Sequence, residues 1–139
     1  MAISRKKDKM YMDVAMTISK YSKCKRKQVG CIIVKDESII AIGYNGTPAG
    51  FDNCCEEGNV TKNVVLHAES NAISKCSKST ISSKDATMYL TLSPCFDCAK
   101  LIIQSGIKRV VYKEKYREVS GLDLLRKANI LINKCNEHT

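Results

Sequence analysis

No apolar run in this chain of 139 residues approaches the roughly 20 needed to cross a bilayer. The first ten residues are charged and lack the apolar centre of an export signal, so the expectation is a soluble, cytoplasmic protein, in a host cytoplasm if viral. No internal repeat, low-complexity tract or linker divides the chain, which suggests one domain spanning residues 1–139 with a sizeable core. Acidic residues are few: 14 Asp and Glu stand against 23 Lys and Arg, a formal charge of +9. That balance favours polyanions or phosphorylated small molecules as partners and says nothing of fold. Histidine is scarcer still, with only His67 and His138.

Cysteine, by contrast, is plentiful, at positions 24, 31, 54, 55, 76, 95, 98 and 135. In a secreted protein eight cysteines would suggest disulfides; without an export signal they are expected to stay reduced. Metal binding, packing or a reactive thiol must then account for them. Cys31, Cys76 and Cys135 read as core.

Periodicity supplies the elements. Met10, Val14, Ile18 and Tyr21 recur at helical spacing and predict a first amphipathic helix lying on a sheet. Residues 29–34 and 39–44 are rich in β-formers, and Lys35-Asp36-Glu37-Ser38 is short and polar enough to join them as a hairpin. Residues 45–63, with four Gly and Pro among polar residues, predict a long irregular loop, which in a small domain is usually functional. A helix is expected over 67–78, facing a core with Ala68, Ala72, Ile73 and Cys76, then a strand over 87–92. Pro94 suits a helix's first turn and Gly106 its stop. A strand at 110–112, a helix at 122–127 and a strand at 129–132 complete the chain. Alternation after residue 67 favours parallel pairing, and a mixed sheet flanked by helices follows.

Two helix starts carry the chemistry. His67-Ala68-Glu69 opens one and Pro94-Cys95-Phe96-Asp97-Cys98 the other, a pairing that matches the H-x-E and P-C-x-x-C signature of zinc deaminases. Cys95 and Cys98, three apart on a first turn, point both sulfurs one way, where unpaired N–H groups and the helix dipole favour thiolates. With His67 they offer three zinc ligands and leave the fourth position for water, a catalytic arrangement; a closed structural site needs a fourth ligand, and His138 sits near a terminus. Glu69 is placed to take the water proton and deliver it to a substrate ring. Alone, C-x-x-C is equally a redox pair or half a structural site.

Further segments, Cys24-Lys25-Arg26-Lys27-Gln28-Val29-Gly30, Gly43-Tyr44-Asn45-Gly46-Thr47-Pro48 with Gly50, His67 to Ile73 and Ser93 to Lys100, resemble the deoxycytidylate deaminases in order along nearly the whole chain, ending around Tyr116. The resemblance implies a three-layer α/β/α sandwich with a five-stranded mixed sheet, one catalytic Zn2+, and conversion of dCMP to dUMP for thymidylate synthesis. It also implies a homo-oligomer, usually a hexamer, and allows regulation by dCTP and dTTP, each with a divalent cation such as Mg2+. It implies that Asn45 bonds the sugar 3′-hydroxyl, that Tyr116 stacks on the base, and that Arg26 and Lys115 approach the phosphate; Ala68, small enough not to block the base, and Ser93, both in the helix-start loops, are further substrate-binding candidates. Asn45 would serve equally to stabilise a turn in the left-handed conformation, Arg26 and Lys115 as solvated charges, and Tyr116 as packing.

Some phage relatives carry a second zinc on cysteines matching Cys24 and Cys54 plus histidines that this chain lacks before His67. A thiolate site at Cys24, Cys54 and Cys55 stays open beside the simpler reading of small buried cysteines. A tRNA adenosine deaminase and a small-heterocycle deaminase share the zinc motifs. A noncatalytic, zinc-stabilised nucleic-acid-binding module would use the lysines but has no need of Glu69.

Overall fold

The computed structural model describes residues 5–136; His138 lies outside them. Five strands form one mixed sheet in the order β2-β1-β5-β6-β7, where β1 is Gly30–Lys35, β2 Ser38–Tyr44, β5 Thr87–Leu92, β6 Arg109–Glu114 and β7 Leu131–Lys134. β1 pairs antiparallel with β2 and β5, while β5, β6 and β7 run parallel. Helix α1 (Arg5–Ser19) packs on one face, and α2 (Ala68–Ser77), α3 (Phe96–Gln104) and α4 (Ser120–Lys127) pack on the other. This is the expected three-layer sandwich.

The central strands read as unbroken apolar runs because both faces are covered. Cys31, Ile33, Met88, Leu90, Val110 and Tyr112 join the core under α2, α3 and α4. Their alternates Ile32, Val34, Tyr89 and Val111 join the core under α1. The turn closing β1 to β2 places Asp36 and Glu37 at φ 51° and 65°, the twist that suits a two-residue hairpin.

Several boundaries differ from the sequence expectation. On α1 the buried stripe is Asp8, Tyr11, Met12, Ala15 and Ser19, while Met10 and Tyr21 are exposed. The helical period was right, but its phase is set by a buried ion pair: Arg109 on β6 donates to both oxygens of Asp8, at 2.9 and 2.6 Å, and Tyr89 donates to Asp8 at 2.7 Å. The irregular loop contains a small hairpin, β3 (Glu56–Glu57) with β4 (Val60–Thr61), turned at Gly58. Pro94 precedes the N-cap of α3 instead of sitting in its first turn. Asn129 is a left-handed residue after α4, so the last strand begins later, at Leu131.

The cysteine expectation is also corrected. Cys24 and Cys55 are joined as a disulfide, which ties the loop to the segment before β1. Cys54 is exposed, not buried. Cys31, Cys76 and Cys135 are buried as expected.

Candidate active site

The carboxyl end of β5 meets the starts of α2 and α3, and the reactive side chains sit at those helix starts. His67 is the N-cap of α2 and Cys95 the N-cap of α3, both with extended backbone. Cys98 follows within the first turn of α3, beside main-chain N–H groups that have no partner inside the helix. Two glycines permit the approach. A side chain at Gly43 on β2 would bring its Cβ within 2.4 Å of the Ala68 carbonyl oxygen, and one at Gly121 within 2.2 Å of the Pro94 carbonyl oxygen. Both are closer than packed atoms come, so α2 and α4 lie against their neighbours only because these positions lack a Cβ.

The Sγ atoms of Cys95 and Cys98 lie 3.5 and 3.3 Å from Nδ1 of His67. In a tetrahedral zinc site, bonds of ~2.3 Å to sulfur and ~2.0–2.1 Å to nitrogen put N and S about 3.5 Å apart. The three donors, all within 4.8 Å of one another, therefore fit one zinc ion, with Nδ1 as the imidazole ligand. Among the described residues no other histidine is present to close the set. A second cluster, Cys24, Cys55 and Glu56, shares the same span, but its two sulfurs are bonded to each other.

Electrostatics differ sharply across this small volume. A hydrogen bond from Cys98, with help from His67, pulls the Cys95 thiol down to about 4. Cys98 is pushed the other way, by that same hydrogen bond and by burial. His67 is raised chiefly by its hydrogen bond to Cys95. Glu69, on the first turn of α2, is only 4% exposed, and burial lifts its carboxyl to about 7 against the opposing pull of its own backbone N–H.

His67, Glu69 and Cys95 line a cleft of about 260 Å³, with Cys98 buried behind them. Of the residues assigned to the substrate, Arg26, Asn45, Ala68, Ser93 and Tyr116 line it; Lys115 does not, and is exposed. Asn45 is not left-handed. Its amide donates to the Lys27 carbonyl at 2.8 Å and its oxygen accepts from the Val29 N–H at 2.9 Å, bridging the segment before β1 to the end of β2. Each end of that amide retains capacity for a further hydrogen bond. Ser93 is buried, and its hydroxyl accepts from the Tyr116 N–H at 2.6 Å. Arg26 donates to the Thr61 hydroxyl at 3.2 Å, and the Glu56 carboxylate accepts from the N–H groups of Lys25 and Arg26.

Lys27, Arg117 and Glu56 also line the cleft, and the sequence reading passed over them. Lys27 and Arg117 adjoin the residues singled out, Arg26 and Tyr116, so chain proximity was an available signal. Which side chains of these two loops reach the cleft is decided by the fold.

Residues 5–114 match the family model described as the cytidine and deoxycytidylate deaminase zinc-binding region. The deoxycytidylate deaminase of Saccharomyces cerevisiae is 34% identical over 138 residues, covering 91% of this chain. That match spans 44% of the yeast protein, so the chain covers less than half of that relative's length. The deoxycytidylate deaminase of Enterobacteria phage T4 is 37% identical, covering 86% of this chain and 84% of its own. Among solved structures, the dCMP deaminase of cyanophage S-TIM5 in complex with dCMP and dUMP superposes with a TM-score of 0.93 at 44% identity. It covers 96% of this chain and 99% of the cyanophage chain.

Proposed function

Because the chain belongs to the cytidine and deoxycytidylate deaminase family, we propose that it hydrolyses dCMP to dUMP and ammonia, with residues 1–139 acting as one deaminase domain. The observation that carries this reading is the meeting of three zinc donors with a buried carboxyl at a cleft that His67, Glu69 and Cys95 line together with the basic residues Arg26, Lys27 and Arg117. When bound by His67, Cys95 and Cys98, zinc supplies the Lewis acidity that lowers the pKa of a water toward ~7. Glu69 removes that water's proton and passes it to N3 of the cytosine ring, which makes C4 more electrophilic toward the water oxygen. The water oxygen bonds to C4, its remaining proton goes through Glu69 to the exocyclic amine, and the C4–N bond breaks to release ammonia. A carboxyl lifted to about 7 by burial suits this work, since it both accepts and releases a proton near neutral pH.

The remaining residues position the substrate. The spare hydrogen-bonding capacity of Asn45 suits the sugar hydroxyl, and the Tyr116 ring suits a face of the nucleotide. The Arg26 guanidinium suits phosphate oxygens, to which it donates as a planar fork. Ser93 acts through Tyr116, whose backbone it holds. Regulation by dCTP and dTTP with Mg2+, and assembly as a hexamer, are supported by the family resemblance alone.

The test is ammonia release from cytidine, dCMP, dCTP and a tRNA substrate by zinc-loaded protein, with Glu69→Ala measured beside it. The expected result is turnover of dCMP that falls by about 10²–10⁴ in the variant, the range of general acid–base catalysis, while zinc content is unchanged. A metal-loaded protein inactive on every cytosine compound would overturn the reading.

A further inference from the structure

The cleft mouth is built from two segments far apart in the chain. Arg26 and Lys27 precede β1, and Tyr116 and Arg117 follow β6. One side-chain contact spans them: Nζ of Lys27 lies 4.5 Å from the centroid of the Tyr116 ring. The backbone is anchored on both sides. The Lys27 carbonyl accepts from the Asn45 amide at 2.8 Å, and the Tyr116 N–H donates to the buried Ser93 hydroxyl at 2.6 Å. Lys27 is exposed and Tyr116 half-buried, so the two side chains have the freedom that their backbones lack.

We propose that Lys27 is a specificity-determining residue, and that its contact with Tyr116 is a latch opened by the phosphate of an incoming nucleotide. The proposal rests on the reading of the site as a nucleotide deaminase. An ammonium over an aromatic ring at an exposed position is held weakly, whereas an ammonium bonded to phosphate makes a charge-assisted hydrogen bond. A phosphate arriving at this mouth, drawn also by Arg26 and Arg117, takes Lys27 off the ring. Tyr116 is then released to pack on the nucleotide while Ser93 keeps its backbone in place. A nucleoside brings no charge to draw Lys27 away, and meets a mouth still bridged. The latch therefore makes productive binding of the sugar and base depend on the phosphate. One oxygen of the Glu56 carboxylate, which lines the same cleft, accepts from the N–H groups of both Lys25 and Arg26 and so holds the backbone of this segment.

The experiment compares kcat and KM for dCMP and deoxycytidine in wild type, Lys27→Met, Lys27→Arg and Tyr116→Leu, with inhibition by dUMP and deoxyuridine as a second measure of the same preference. In Lys27→Met, the preference for the phosphorylated member of each pair should fall about 10- to 100-fold, as for loss of a hydrogen bond to a charged group, and the change should appear in KM. Lys27→Arg should stay within about threefold of wild type, because guanidinium both stacks on aromatic rings and binds phosphate. Tyr116→Leu should weaken both pairs. Inorganic phosphate at millimolar concentration should raise deoxycytidine turnover in wild type but not in Lys27→Met, a response that a merely structural lysine would not produce. An unchanged preference in Lys27→Met, or an equal loss on both members of a pair, would overturn the latch while dCMP turnover by wild type still stands. A wild type inactive on dCMP removes the reading beneath it and the latch together.

Discussion

A carboxylate buried beside two thiols and an imidazole has no bulk water to solvate its charge, and for Glu69 that desolvation is what lifts its carboxyl to about 7. In the proposed mechanism His67, Cys95 and Cys98 differ from it in their duty, which is to supply zinc donors, and the two duties separate experimentally. Substituting Cys98→Ser is expected to lower bound zinc, read by metal analysis of purified protein, as well as activity; Glu69→Ala should lower activity alone. These four residues were legible from the sequence because their spacing is local: each pair lies within one helical turn, and the turn geometry follows from the backbone. Asn45 was legible in position but not in its contacts. Its amide joins Lys27 to Val29 across a register that only the assembled β1–β2 pair defines. Asn45→Ala should therefore lose about 1 kcal/mol of stability in denaturant titration, the cost of unpairing partly buried backbone groups, in addition to any loss in substrate affinity.

At the scale of elements, the site depends on how closely α2 approaches β2 and α4 approaches the Pro94-Cys95 turn. Gly43→Ala places a methyl against the Ala68 carbonyl and the Ala72 N–H, and α2 must move outward with His67 and Glu69 at its start. We expect this variant to fold with a lower melting temperature and to lose kcat disproportionately, since small displacements from reacting geometry are costly. Crystallography or zinc content would report the shift. The alternation of strands and helices was readable because strand and helix periods differ, and the order of the parallel half follows from its crossover helices. The phase of α1 was not. Its buried stripe includes Asp8 and Ser19, polar residues that an apolar count rejects, and Asp8 is buried because Arg109, 101 positions later, pairs with it. The cysteine pairing escaped for a related reason: Cys24 and Cys55 become neighbours only when the loop folds back over the segment before β1. In zinc-loaded protein under non-reducing conditions, alkylation should label Cys54 first and leave Cys24 and Cys55 unlabelled, as mass spectrometry would show.

Across the whole molecule, two charge effects of different range coexist. The Asp8–Arg109 pair is nearly dry on both partners and makes two hydrogen bonds, so removing Arg109 takes from the buried Asp8 carboxylate its two charge-assisted hydrogen bonds. Arg109→Met is expected to destabilise by about 3–5 kcal/mol, measured by urea denaturation, with little effect on zinc binding because the pair lies on the α1 face of the sheet. The surplus of +9 acts at longer range. If it steers a phosphorylated substrate to the basic mouth, kcat/KM for dCMP should fall as salt rises from ~10 to ~150 mM, where the screening length shortens from ~30 to ~8 Å, while the value for uncharged deoxycytidine stays nearly flat. Among the described residues no helix is long and apolar enough to cross a membrane.

The family, the sheet architecture and the candidate metal donors were all readable in the linear pattern, because each depends on spacing within a few residues or on the period of burial along one element. Tertiary structure decided which face of α1 is buried, which cysteines pair, and that Lys27 and Arg117, not Lys115, reach the cleft. Those outcomes depend on contacts between residues tens of positions apart. A linear pattern carries no distance between such residues until packing brings them together.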